Sequence, residues 1–293
     1  MARKRSRQNT PPADAPERDD ISLRRDGSVT WVLLDGVESS AVDEADPTHL
    51  AFEYMQHMDV ALDVARPRPA KVRALHLGGA GCALPWAWAV ERPGSRQVVA
   101  EIDAEVARLA REWFDLPRSP ELRIRVGDAL DVLRKTRPAS QDVVVRDAFA
   151  DGAVPAHLQT RQFFQSALEA LDSDGLFLAN CAHGGPYDAR PDIAGMRAAF
   201  GDVTLIADPK VRRSARRGNI VALAQPKGAA PLDRPDLERA LRRLPLPARL
   251  MEPSELGKWL AGAKPLEAQS PVQASGEPSE SGDASSDPSD SGA

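Results

Sequence analysis

"LHLGGAGCALP", residues 75–85, runs from an apolar stretch through three glycines and into a helix-forming segment. Residues without a Cβ let the backbone bend sharply and approach a neighbour closely. Pro85 suits the first turn of a helix, where its missing N–H costs nothing. A dinucleotide fingerprint needs G-x-G-x-x-G. Gly79-Ala80-Gly81 supplies the first two glycines, but Leu84 stands where the third belongs. Alone, the loop is no more than a tight strand-to-helix turn, so its flanks must decide what it approaches.

Outward from the loop, apolar runs alternate with segments of helical period. "RALHLGG" (73–79), "QVVAEID" (97–103), "LRIRVGD" (122–128), "DVVVRDA" (142–148) and "GLFLANCA" (175–182) read as strands. "LPWAWAVER" (84–92), "AEVARLAREWF" (104–114), "ALDVLRK" (129–135) and "LQTRQFFQSALEAL" (158–171) read as the intervening helices. In the second of these, Val106, Leu109, Ala110, Trp113 and Phe114 share one face. Strands of this composition, separated by helices, predict a mostly parallel sheet covered on both faces. After a helix near 190–200, "DVTLIAD" (202–208) and "NIVALAQ" (219–225) come with no helix between them, which predicts a terminal antiparallel hairpin. The fold class is therefore α/β, a Rossmann-like sheet closed by that hairpin. This architecture resembles class I adenosylmethionine-dependent enzymes rather than plain dinucleotide-binding domains.

Upstream, "SVTWVLLDGVESSAV" (28–42) predicts a small β-hairpin turning at Asp35-Gly36. "PTHLAFEYMQHMDVALDVA" (47–65) predicts a helix, and 234–244 and 253–262 predict two short ones. The organisation expected is a basic, disordered segment 1–20, a hairpin and helix over 21–65, the adenosyl-binding domain over 66–264, and a disordered acidic tail over 265–293. That tail carries six acidic residues and no Lys or Arg. Removing its −6 from the chain's formal −5 leaves about +1 for the rest, so the acidic balance says little about a partner. No run approaches the ~20 apolar residues of a membrane span, and the basic start lacks the apolar region of a signal peptide. Cys82 and Cys181 have no metal-ligand spacing and form no disulfide framework. The expectation is a soluble, cytoplasmic protein with no metal and no membrane partner. "KVRRSARR" (210–217) reads as a solvated turn, and a nucleic-acid partner is not expected.

Three carboxylates decide what the glycine loop faces. Glu101 ends the second strand about 20 residues after the loop, where a carboxylate accepts hydrogen bonds from both ribose hydroxyls. Asp128 ends the third, placed to accept from an adenine amino group while capping the next helix. Asp147 ends the fourth. Acids at the carboxyl ends of successive parallel strands converge on one crevice, which predicts a cleft for an adenosyl ligand.

Over roughly residues 28–225 the sequence resembles the spermidine synthase (polyamine aminopropyltransferase) family. "WVLLDGVESSAVDE" is similar to its N-terminal hairpin, with the L-D-G-V core intact. "LHLGGAGCALP" stands where the family has G-G-G-D-G, and "VVAEID" matches its V-E-I-D strand. "VGDALDVL" is similar to its G-D-(A/G)-x-x-(F/L) segment, and "VPAHLQTRQFF" matches its G-P-A stretch. The resemblance implies that Gly79, Gly81, Glu101, Ile102, Asp128 and Ala129 hold decarboxylated S-adenosylmethionine, or S-adenosylmethionine itself, as co-substrate. It implies that Asp147, matching the first acid of D-(S/T)-(S/T)-D-P, also faces that donor; because an attacking amine must lose a proton, Asp147 at its strand end is the candidate general base. The resemblance further implies a small-molecule amine acceptor and a homodimer built partly from the hairpin.

The acceptor side departs from that pattern. The signature reads "DAFADGAVP" (147–155), so Ala150 replaces the second acid and Asp151 lies one residue later. The family's glutamine after D-G-V is replaced by Ser39 or Ser40, and its Y-H-E-M segment is blurred to "FEYMQHM", leaving Tyr54 and His57 as counterparts. Asp151, Tyr54 and Ser39 are the expected amine-binding residues. Three functions are compatible with this: aminopropyl transfer to a diamine or polyamine, methyl transfer on the same fold, or non-catalytic adenosyl binding.

Overall fold

The structure, a computed structural model, describes residues 20–246 and 248–268; the expectations for residues 1–19 and 269–293 lie outside them. The chain begins with a three-stranded antiparallel sheet, β1 (Ile21–Asp26), β2 (Val29–Leu34) and β3 (Val37–Asp43), in the order β1-β2-β3. The expected hairpin is its second half, turning at Asp35 and Gly36, both at positive φ. β1 was not expected; its "ISLRRD" carries too little apolar weight to mark a strand without its partner.

Helix α1 (Glu53–Ala65) leads to the central domain. Five strands there lie parallel: β4 (Arg73–Leu77), β5 (Arg96–Glu101), β6 (Leu122–Val126), β7 (Gln141–Arg146) and β8 (Leu171–His183). β9 (Thr204–Ala207), β10 (Gly218–Ala224) and the two-residue β11 (Arg249–Leu250) complete an eight-stranded sheet of order β11-β9-β10-β8-β7-β4-β5-β6. β10 runs antiparallel to both β8 and β9, as the terminal hairpin requires. The central strands are buried on both faces, so β7 carries the unbroken run Val143-Val144-Val145.

Helices cover the two faces. On one, α1, α2 (Ala83–Glu91), α3 (Ala104–Trp113) and α8 (Arg234–Leu241) pack around Met58, Leu84, Trp88, Ala110 and Leu237. Val32 and Val42 of the small sheet join this same core, so the N-terminal sheet is fused to the domain. On the other face lie α4 (Ala129–Arg134), α5 (Arg161–Ala170), α6 (Arg190–Phe200) and α9 (Pro253–Leu260), packed around Phe163, Phe164, Phe177 and Ile193. Side-chain caps set several starts, among them Asp103 for α3, Asp128 for α4, Thr160 for α5 and Asp233 for α8. The Thr160 cap explains why α5 starts three residues later than its periodicity suggests, after a 3₁₀ turn at Ala156–Leu158.

Other boundaries also differ from the sequence reading: α1 begins at Glu53 rather than at 47, and a four-residue helix, α7 (Pro209–Arg212), stands between β9 and β10 where none was expected. β8 starts at Leu171, which faces Gln141; Leu176 then faces Val143, so Asp172–Gly175 bulge out of the ladder. Residues 265–268, assigned to the tail, pair with the domain: Leu266 bridges Thr160, and the Glu267 carboxylate accepts from the Gln162 side chain at 2.8 Å. Among the described residues no helix is long and apolar enough to cross a membrane.

Candidate active site

The glycine loop after β4 is wedged against three elements. A Cβ on Gly78, which sits at φ +96, would lie 2.2 Å from the Asp147 carbonyl oxygen. One on Gly79 would lie 2.1 Å from a methyl of Val99 in β5, and one on Gly81 would lie 2.8 Å from Ser40 Oγ in β3. Gly79 and Gly81 are thus required by their protein neighbours. Ser40, not Ser39, reaches the loop. The two-residue alternation of β3 turns Ser39 outward, where its hydroxyl donates to the Val37 carbonyl at 3.0 Å.

Glu101, at the end of β5, accepts from the Ala80 N–H through Oε2 at 2.9 Å and from the Asp103 N–H through Oε1 at 3.0 Å. The loop and the carboxylate therefore fix each other, and each oxygen keeps a lone pair for a further donor. Ile102 beside it is 72% exposed, an apolar surface at the carboxyl edge of the sheet. Asp128 caps α4 through Oδ1, accepting from Leu130 N–H and Asp131 N–H, and Ala129 begins that helix. The other oxygen of Asp128 lies 2.8 Å from Nε2 of His157, on the 3₁₀ turn. Burial pushes the Asp128 carboxyl up, but the His157 contact and the helix amides outweigh it and hold it below the usual range. Sequence reasoning missed His157, because nothing in a separation of 29 residues links a loop histidine to Asp128.

Asp147 comes directly after β7, with both oxygens engaged. Oδ1 accepts from the Asn180 amide of β8 and Oδ2 from the Tyr54 hydroxyl of α1, each at 2.9 Å. Burial raises its pKa above the usual carboxylate range, against the pull of these two bonds and of Arg146. Burial, then the Asp147 charge, drives the Tyr54 hydroxyl well above its ordinary value, so it stays protonated and donating. Behind Asp147, the wholly buried Arg146 donates to both Asp192 oxygens, at 2.7 and 2.6 Å, and to the Leu158 carbonyl at 2.9 Å. β7, α6 and the 3₁₀ turn are thereby tied together directly beneath the site. Neither Asn180 nor Arg146 stands out in the sequence; both sit within runs that read only as strands.

Tyr54 also lines a cavity of about 240 Å³ beneath the small sheet, together with Trp31, Glu38, Phe52, His57 and Arg216. His57 is buried; desolvation pushes its pKa down to about 4, and its Nδ1 has no hydrogen-bond partner. Asp151 stands apart from this cavity, exposed at φ +52 in a tight turn between the bridged residues Ala150 and Ala153. A larger, shallower groove of about 570 Å³ between α3 and β6 contains none of the converging acids. Among the described residues there is no group of three or more His, Cys, Asp or Glu placed to hold a metal.

No protein-family model matches the chain. A polyamine aminopropyltransferase of Vibrio vulnificus is 29% identical over 146 residues, which cover 49% of this chain and 48% of that protein. One from Neisseria meningitidis is 28% identical over 165 residues, 61% of its length, so the chain spans about half to three-fifths of these curated relatives. Human methyltransferase-like protein 13, solved in complex with SAH, superposes with a TM-score of 0.55 at 21% identity, a likeness of fold alone. A probable spermidine synthase from Corynebacterium glutamicum superposes with a TM-score of 0.79 at 33% identity, over 90% of this chain and 99% of that one. With the glycine loop, the three converging acids and the N-terminal sheet all in place, the chain belongs to the spermidine synthase family.

Proposed function

We propose that this protein transfers an aminopropyl group from decarboxylated S-adenosylmethionine to a small-molecule amine. The observation that carries the reading is the position of Asp147. Its backbone packs against Gly78 of the glycine loop that Glu101 holds, and its side chain accepts from Tyr54, which lines the aromatic cavity. Glu101 takes the ribose hydroxyls, Asp128 and the exposed face of Ile102 take the adenine, and the amine enters beneath β2 and α1.

In the reaction the amine nitrogen forms a bond to the propyl carbon beside sulfur as the carbon–sulfur bond breaks. Its electron pair stays on sulfur, converting the sulfonium to a neutral thioether. The proton leaving nitrogen passes to Asp147, whose burial-raised pKa brings it closer to the working range of a general base. Tyr54 and Asn180 fix the direction of that carboxylate, and holding nitrogen and carbon in line lowers the barrier further.

Calorimetric titration with adenosylmethionine, its decarboxylated form and methylthioadenosine tests the donor. Preference for the carboxylated form would favour methyl transfer instead. Asp147→Asn keeps the shape of the side chain but loses the proton acceptor. Its turnover is expected to fall by roughly 10²–10⁴-fold with donor affinity held within about threefold. Equal turnover in wild type and variant would remove Asp147 from the mechanism.

A further inference from the structure

The basic segment 210–217 is not a free turn. Pro209–Arg212 form a short helix (α7) capped by Asp208, whose Oδ1 accepts from the Lys210 N–H at 2.7 Å. Three contacts pin the end of this helix and the loop after it. The Arg212 carbonyl accepts from Trp259 Nε1 at 2.9 Å, and Ser214, at φ +56, places its hydroxyl 3.0 Å from His183 Nε2. The Arg216 backbone lies so close to Gly184 that a Cβ there would meet its carbonyl oxygen at 2.6 Å. Ser214, His183 and Asp188 look like a nucleophile triad, but the Ala189 N–H donates to His183 Nδ1 at 3.2 Å. The ring proton therefore sits on Nε2 and faces the serine, the wrong tautomer for a base. These groups hold the segment in place.

What the segment presents is Arg216, in the wall of the cavity that Tyr54 joins to Asp147. Asp208 accepts from Nε and Nη2 of Arg216 through a single oxygen, at 3.3 and 2.9 Å, so the Nη1 edge of the guanidinium is uncommitted. Asn219 offers a neutral amide close by; Glu53 and Asp208 are the acids of the same wall, while Glu38, also there, already accepts from Arg24 at 2.6 Å. A pocket for a diamine needs negative charge and apolar surface; a guanidinium repels the distal ammonium. A pocket of both signs suits a distal group of both signs, and a planar guanidinium edge matches a carboxylate.

Building on the aminopropyl-transfer reading, we propose that the acceptor is an α-amino acid with a side-chain amine. That amine faces Asp147, the carboxylate meets Arg216 and Asn219, and the α-ammonium meets Glu53. The reacting nitrogen forms the new carbon–nitrogen bond, its proton goes to Asp147, and methylthioadenosine leaves.

Matched acceptor pairs that differ only by the carboxylate test this: ornithine against putrescine and lysine against cadaverine, with decarboxylated adenosylmethionine as donor and the full chain as enzyme. The expected result is kcat/KM at least tenfold higher for the amino acid of a pair. Arg216→Gln should lower the amino-acid value about tenfold and raise the diamine value. Arg213→Gln, which removes a neighbouring exposed charge, should leave the ratio unmoved. Preference for the diamine, or an equal loss on both acceptors in Arg216→Gln with an unchanged melting temperature, would overturn the inference while leaving aminopropyl transfer standing. No transfer to any of the four amines would sink both.

Discussion

At the scale of single residues, the site depends on two carboxylates with opposite settings. Glu101 accepts one N–H from the glycine loop, at Ala80, and one from Asp103, while Asp147 is enclosed and holds its proton more tightly than an ordinary carboxylate. Glu101→Ala is expected to weaken the adenosyl donor at least tenfold, because charge-assisted hydrogen bonds contribute roughly 1.5–3 kcal/mol each. Titration of methylthioadenosine into the variant reads this, and affinity within threefold of wild type would take Glu101 out of the donor site. The Tyr54 hydroxyl stabilises the charged form of Asp147 and so lowers its pKa. Tyr54→Phe removes that bond, which raises the pKa of Asp147 further. The acid limb of the kcat/KM profile should therefore move to higher pH. A limb that stays put, or moves to lower pH, would mean that Asp147 is not the group being titrated.

At the scale of elements, the glycine loop is the joint on which the site turns. Gly78 presses on the Asp147 backbone, so a side chain there has to displace the end of β7, and its φ of +96 disfavours any other residue. Gly78→Ala is expected to cost about 1–3 kcal/mol in overpacking alone, with backbone strain added, and to abolish turnover by moving Asp147. Urea unfolding and steady-state rates measure the two effects. A variant of wild-type stability and rate would show that the loop tolerates the shift. Element boundaries were legible where a capping acid follows a strand, as Asp103 and Asp128 do just before α3 and α4. They were illegible where pairing set them, as in β1, whose place depends on β2, and in the bulge at Asp172–Gly175, which depends on β7.

At the scale of the whole molecule, charge at the opposite end of the domain governs stability against pH. Glu91 lies with Asp59 around Arg68, and Asp59 also accepts from the Trp88 indole at 3.0 Å. Burial, reinforced by the Asp59 charge, pushes the Glu91 carboxyl up to about 7 despite Arg68. A folded-state pKa above the unfolded value gives stability that is fully present below the ordinary carboxylate range and lost as pH rises through about 7. Glu91→Gln copies the protonated form. It should melt higher than wild type at pH 8, with the gap closing by pH 5, as thermal scans across that range will show. A gap that widens toward acid would reverse the sign assigned to this cluster.

The sequence by itself determined the order of strands and helices, the terminal hairpin and the acids that end three successive strands. Those features are local: the period of apolar residues, a glycine run after a strand, an acid at each strand end. The family resemblance also singled out Tyr54 as an expected amine-binding residue. Only the tertiary structure decided that Ser40 rather than Ser39 meets the loop, since that rests on which face of β3 packs inward. The same holds for Asn180 and Tyr54 on Asp147, for His157 on Asp128, and for Arg216 in the cavity wall. Each joins residues far apart in the chain, and separations of 33, 93 and 29 residues carry no local signal. Asp151 lies one residue out of step with the family's second acid, and a tight turn at positive φ carries it into solvent, apart from the cavity that Tyr54 lines.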